Sequence, residues 1–329
     1  MDFIASMIEK ARTKPMRIVF PEGDDERIVV AAAKAAELGI ARPIVVGNAE
    51  EIEKLALKNK ASLNGVAIVP TSDEGKINRY AAAYAEARQM KVAIAEKLVK
   101  KPLSFGCMMV KMGEADGMVG GVAHATASVI QSATLTVGYQ QGLSTASSFF
   151  IMVIPEFAGE KDKIFIFADC AVNIAPTAQQ LAETGIASGT NAKALLGIDP
   201  RIAFLSFSTK GSASHETVDK VLEAVRIARG INSRFAIDGE LQGDAALVAG
   251  VAAKKAKGSV VAGRANVLVF PDLNAGNICY KLVQYLAHAK AYGPILQGFA
   301  KPINDMSRGA TVDDLVGVTA ITVVQAQNG

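Results

Sequence analysis

The sequence predicts an α/β protein built as two three-layer domains whose sheets are largely parallel. Short β-branched runs alternate with longer Ala-rich stretches, most runs end in Gly, Pro or Asp, and 329 residues exceed one ordinary domain. Buried parallel strands read as continuous apolar runs, and the segments between them are long enough to hold crossover helices.

The first unit is MRIVFPEGDDERIVVAAAKAAELGIARPIVVG. Met16–Phe20 reads as a strand, and the Gly turn after it leads into a helix with acidic residues in its first turn, which the helix dipole favours. A second strand follows at 43–46. Further strands are expected in GVAIVP, ADGMVGG, FFIMVIP, KIFIFAD, RIAFLSF, RFAIDGE and NVLVFPD. Crossovers of this kind place ligands at the carboxyl ends of the strands. No internal repeat or low-complexity tract is present.

Half the residues are hydrophobic and a fifth are charged, which excludes a disordered chain. A net charge of +3, from 35 basic and 32 acidic side chains, gives no general field for nucleic acid. Cys107, Cys170 and Cys279 are odd in number and widely spaced, so neither a disulfide framework nor a metal site is expected, and a reducing cytoplasm suits them. The first 20 residues mix charges into their apolar positions, unlike a signal peptide, and no run approaches a membrane span.

The small, polar run QQGLSTASSFF (140–150) precedes a strong strand, and AYGPILQGFAKP (291–302) reads as loop. We therefore expect a discontinuous first domain, 1–147 with 294–329, and an inserted second domain, 148–293, with a cleft between them.

Six ordered blocks resemble phosphate acetyltransferases of the phosphate acetyl/butyryltransferase family. They are FPEGDDERI (20–28), FADCAVN (167–173), SFSTKGSA (206–213), DGELQ (238–242), VFPDLNAGN (269–277) and KPINDMSRG (301–309). The resemblance runs from near residue 15 to the end. It implies an isocitrate/isopropylmalate dehydrogenase-like fold, a homodimer, and reversible acetyl transfer between coenzyme A and inorganic phosphate. Coenzyme A, acetyl phosphate and phosphate are then substrates, and no tightly bound cofactor or metal is needed. A phosphate butyryltransferase or other acyltransferase, a metal- and NAD-dependent dehydrogenase sharing the fold, and a non-catalytic coenzyme A-binding regulatory protein are the competing readings.

That chemistry needs a phosphate held, a thiol oriented and an oxyanion stabilised. Arg308 offers forked, permanently charged donors suited to phosphate. Ser307 and the backbone at Gly309 add donors where glycine allows close approach. Asp314 is, by resemblance, the base for the coenzyme A thiol, yet Thr311-Val-Asp-Asp314 also has the spacing of a capping box. Asp313 faces solvent or complements the helix dipole.

Resemblance adds Arg88, Thr126, Gln131 and Lys281 as substrate-binding positions. For Arg88 the residues alone favour a solvated helix face. Three departures from the family stand out. After GGVAHATA, relatives usually read Asp-Thr-Leu-Arg-Pro, whereas this chain has Ser128, Val129, Ile130, Gln131 and Ser132, so Gln131 replaces an arginine. The run ATLTVGYQQGLST replaces a lysine- and proline-containing one, and Ala310 stands where cysteine is common. One wall of the site is thus altered, with Lys210 as a candidate compensating charge. His124 ends a strand and is a candidate for lining the cleft. Asp169, Asp238 and Asp272 follow strands, where capping and turn formation are their usual work.

Overall fold

A computed structural model describes residues 3–328. In chain order its strands are β1 (Met16–Phe20), β2 (Ala41–Val46), β3 (Ala67–Val69), β4 (Gly117–Gly120), β5 (Ser147–Phe157), β6 (Glu160–Ala168), β7 (Arg201–Leu205), β8 (Ala236–Leu241), β9 (Val267–Val269), β10 (Lys290–Gln297) and β11 (Ile303–Asp305). They fall in two compact units, one formed by the described residues up to Tyr139 with those from Phe299 onward, the other by Gln140–Gly298.

The joints thus lie at 139/140 and 298/299, displaced from the expected 147/148 and 293/294. The displacement has a local cause. Tyr139 and Phe299 form a β-bridge and stack their rings 5.9 Å apart, which closes the first unit on itself. One residue further, the Gln140 amide donates to the Gly298 carbonyl at 2.9 Å inside the second unit.

In the first unit the strand order is β11-β4-β1-β2-β3, and all four pairings are parallel. Alternate β1 side chains face opposite layers. Val19 meets the helix Pro102–Lys111 at Gly106, while Ile18 lies beside Gly117, which also faces Thr322 of the helix Val312–Gln327. Leu315, Val316, Ala320, Ile321, Val323 and Val324 make that last helix almost wholly buried. Its sequence is accordingly apolar around the circumference rather than striped.

The second sheet runs β10-β5-β6-β9-β7-β8. The run β6-β9-β7-β8 is parallel throughout, whereas β10 and β6 both pair with β5 antiparallel. Phe150, Met152, Phe165, Phe167, Leu241 and Leu268 belong to its apolar core. The expected loop at 291–302 is therefore corrected, because most of it is β10. Gly293-Pro294 hid the strand in the sequence. A register shift between Tyr292 and Ile295 accommodates the pair, and an edge strand tolerates proline.

Candidate active site

Three neighbouring parallel strands of the first unit, β11, β4 and β1, deliver their following loops to the same sheet edge. The loop after β1 brings Glu22, the loop after β4 brings 121–125, and the segment after β11 brings Ser307, Arg308 and Gly309.

Glu22 is the hub of the first two loops. Its buried carboxylate accepts the amides of Gly121 at 2.7 Å, Val122 at 3.0 Å and Ala123 at 2.9 Å. It also pairs with His124 Nδ1 at 2.6 Å. The loop that carries His124 is thus wrapped around one anionic side chain. A carboxylate with four donors is among the few forms in which a buried charge is tolerated.

Asp305, the last residue of β11, is 3% exposed. The Thr126 hydroxyl donates to its Oδ2 at 2.5 Å, and Oδ1 has no hydrogen-bond partner among the described residues. Oδ1 lies where a side chain at position 121 would begin, so only glycine, here with φ +102°, fits there. Burial, with a smaller contribution from the Glu22 charge, pushes the Asp305 carboxyl up to about 6.

Arg27 ties the third loop to the others. Its Nη1 donates to the carbonyls of Arg308 at 2.6 Å and Ala310 at 3.2 Å, and Nη2 donates to Val122 O at 3.2 Å. Asp25 fixes the guanidinium bidentately at 3.0 and 2.7 Å. Arg27 in turn holds the Asp25 carboxyl below the usual carboxylate range. The Ala310 amide closes the turn on Ser307 O at 2.9 Å. Ser307, Arg308 and Gly309 are exposed at its crest. The Arg308 guanidinium and Ser307 hydroxyl have no partner among the described residues, so a held backbone presents unspent donors to an anion.

Asp314 sits in the capping box of the helix Val312–Gln327. Its Oδ2 accepts from Thr311 N at 2.9 Å and Thr311 Oγ1 at 2.7 Å, while Asp314 N donates back to Thr311 Oγ1 at 3.2 Å. The box engages two amides at the start of the helix, those of Thr311 and Asp314. Asp313 pairs with Lys34 at 2.7 Å.

Gln131 lines a pocket of about 340 Å³ in the first unit, with His124, Ser128, Ser132, Lys101 and Leu103 among its other walls. Ser128, Gln131, Ser132 and Leu135 share one face of the helix Thr126–Thr136, which presents them together. Arg88 is outside this lining. Its Nε and Nη2 donate to the carbonyls of Leu135 at 3.0 Å and Thr134 at 2.8 Å, securing the last turn of the same helix.

Lys281 belongs to the second unit, exposed on the helix Leu273–Leu286, with its ammonium 5.2 Å from the Tyr280 ring centroid. Lys210 is engaged with Asp238 at 2.6 Å and Gly239 O at 3.1 Å, whereas Lys101, unpaired among the described residues, lines the same pocket as Gln131.

Three carboxylates organise the second unit's loops. Asp169 accepts the amides of Ala171, Val172 and Asn173, Glu240 holds the 206–213 loop through Ser208 Oγ and Gly211 N, and Asp272 caps the helix Leu273–Leu286. Gly276 packs against the Asp169 carbonyl, where a Cβ would stand 2.1 Å from the oxygen.

Glu22, Asp25, Arg27 and Asp305 escaped the sequence reading, although they lie inside FPEGDDERI and KPINDMSRG. The usable signal for the first three was the density of charge directly after the apolar strand β1, and none marked Asp305, which ends the short β11.

Residues 2–323 match the sequence profile of the phosphate acetyl/butaryl transferase family. The chain belongs to that family. A phosphate acetyltransferase from Thermoanaerobacterium thermosaccharolyticum is 50% identical over 99% of this chain and 100% of its own length. Among solved structures, a phosphotransacetylase from Streptococcus pyogenes superposes with a TM-score of 0.94 at 43% identity, covering 99% of this chain and 98% of that one. A 4-hydroxythreonine-4-phosphate dehydrogenase from Burkholderia phymatum, 15% identical with a TM-score of 0.52 over 96% of this chain and 98% of its own, shares the fold alone. The family's fold is therefore the dehydrogenase-like one that the sequence implied.

Proposed function

We propose that this chain is a phosphate acetyltransferase that moves an acetyl group reversibly between coenzyme A and inorganic phosphate. The observation that carries the reading is the Ser307–Gly309 turn, whose backbone Arg27 secures and whose Arg308 guanidinium is unspent. The thiol sulfur attacks the acetyl carbonyl carbon, the S–C bond forms, the C–O bond to phosphorus breaks, and phosphate leaves with the electron pair. Arg308 neutralises the phosphate while Ser307 and the Gly309 amide donate to developing negative charge. Asp314 takes the thiol proton on Oδ1, the oxygen not engaged by its capping box. Thr126, Gln131, Arg88 and Lys281 complete our assignment of substrate-binding positions. Arg88 acts in it by fixing the helix that carries Gln131.

Coenzyme A enters as a substrate, and the reaction requires no tightly bound cofactor. We assign the protein to the cytoplasm, which suits three free thiols and the absence, among the described residues, of a helix long and apolar enough to cross a membrane. We also assign it a homodimeric state. Ile278, Leu282, Tyr285 and Leu286, 52–77% exposed, form one apolar face of the helix Leu273–Leu286, a row that a second copy would cover.

Thioester absorbance with acetyl phosphate and coenzyme A tests the reaction, and a panel of acyl phosphates tests its acyl group. Acetyl phosphate should give the highest kcat/KM. Higher values for butyryl phosphate would make this a longer-chain acyltransferase, and thioester formation with none would leave a coenzyme A binder.

A further inference from the structure

The second unit has a cavity of about 520 Å³ that the reaction does not use. Lys193, Asp199, Arg201, Asn232, Arg234 and Arg264 supply its polar lining, and Phe235 and Val260 supply apolar wall. Arg201 opens β7 and the others precede β7, β8 and β9, so the cavity opens at the amino ends of three parallel strands. The loops 206–213, 242 and 270–272 leave those strands at the opposite edge, where α/β proteins bind their reactants. None of the lining residues falls in the six sequence blocks tied to acyl transfer.

Four cations face one carboxylate, in a chain whose whole net charge is +3. None of the four is in an ion pair among the described residues. Two guanidiniums are held in place by backbone rather than neutralised. Arg201 Nε donates to Arg264 O at 2.5 Å, and Arg264 Nη2 donates to Val260 O at 3.1 Å. The buried Asn266 anchors the rim by accepting Arg201 N at 2.7 Å and donating to Asp199 O at 3.0 Å. Phe235 is set by its packing against Gly189, leaving part of the side chain exposed.

We propose that this cavity binds a nucleotide: its phosphates pair with Arg201, Arg234, Arg264 and Lys193, and its base lies on Phe235 with Asn232 and Asp199 at the edge. Several like charges held together without ion-pair partners are costly unless an anion of several charges joins them. An anion with no ring would leave the aromatic wall unused, and the volume suits a ligand of nucleotide size. A single-stranded oligonucleotide is the competing occupant.

The test is calorimetric titration of ATP into the full chain without coenzyme A, whose own adenosine phosphates would compete for a nucleotide cavity, so that the cavity variants decide where ATP binds. One ATP per chain should bind, Arg234→Gln/Arg264→Gln should weaken it at least tenfold, and basal thioester formation should stay within about twofold. Tripolyphosphate should bind at least tenfold more weakly than ATP, and Phe235→Leu should erase that difference. Should the double variant misfold, Lys193→Gln alone should weaken ATP at least threefold. No ATP binding, binding unchanged in the variants, or tighter binding of a short oligonucleotide than of ATP would each overturn the proposal. Loss of acyl transfer with ATP binding intact would instead count against the acetyltransferase reading only.

Discussion

Replacing Glu22 by glutamine keeps the side chain's shape and removes half of its accepting capacity. In the native loop Oε2 accepts from Gly121 and Val122, and Oε1 accepts from Ala123 and pairs with His124. Whichever oxygen becomes an amide nitrogen, two donors then face a donor. Each bond to a charged acceptor is worth about 1.5–3 kcal/mol, which gives roughly 3–6 kcal/mol before the relief of no longer burying a charge. We therefore expect a net loss of about 3 kcal/mol, read as a fall of roughly 6–12 °C in the melting of a unit of this size. The 121–125 loop leads into Thr126 and carries His124, so kcat/KM should fall by at least about tenfold, the scale of one misplaced catalytic contact. Thermal melting, urea titration and thioester kinetics measure both effects. His124→Ala removes only one of the four contacts and should cost clearly less. A Glu22→Gln protein within about 1 kcal/mol of the native one, or no worse than His124→Ala, would refute the hub argument.

Arg308→Gln should lower turnover at least about a hundredfold with the fold intact, the scale of losing a charged transition-state donor, and near-normal turnover would displace the site. For Asp314→Asn, which retains an oxygen for the capping box, we expect melting within about 1 kcal/mol of native and a rate loss partly recovered at higher pH; a changed melting temperature with preserved rate would make Asp314 a cap alone. Gln131→Arg should lower the KM for acetyl phosphate or coenzyme A by about ten- to hundredfold, the worth of one charge-assisted bond, whereas reduced turnover without a lower KM would mean a pocket rebuilt around glutamine. Asp305, raised by burial to about 6, keeps its proton in the folded state after the unfolded chain has released it. Its contribution to stability is thus greatest in acid and is lost as pH rises through about 6, by at most roughly 3 kcal/mol. The difference in unfolding free energy between Asp305→Asn and native protein should change across that window and be flat above it; parallel curves from pH 4 to 7 would count against the buried carboxyl.

The sequence by itself determined the α/β class and most of the strands, because apolar runs such as MRIVF and RIAFL are buried on both faces and need no distant partner to be recognised. It also determined the Ser307-Arg308-Gly309 motif, whose residue types carry their chemistry wherever they fold, and the capping box at Thr311 and Asp314, which closes over three residues. Only tertiary structure decided what holds that motif. Arg27 stands 281 residues from Arg308, and Glu22 about 100 from the amides it gathers. No local pattern reports such pairings, since strand order β11-β4-β1 brings them together only after the chain has closed. The same holds for Arg88, whose guanidinium meets carbonyls at the end of another helix, and for β10, where the partner strand β5 overrides the turn signal of Gly293-Pro294. Local signals are written in side-chain type and spacing, whereas the partners of a buried charge are chosen by topology.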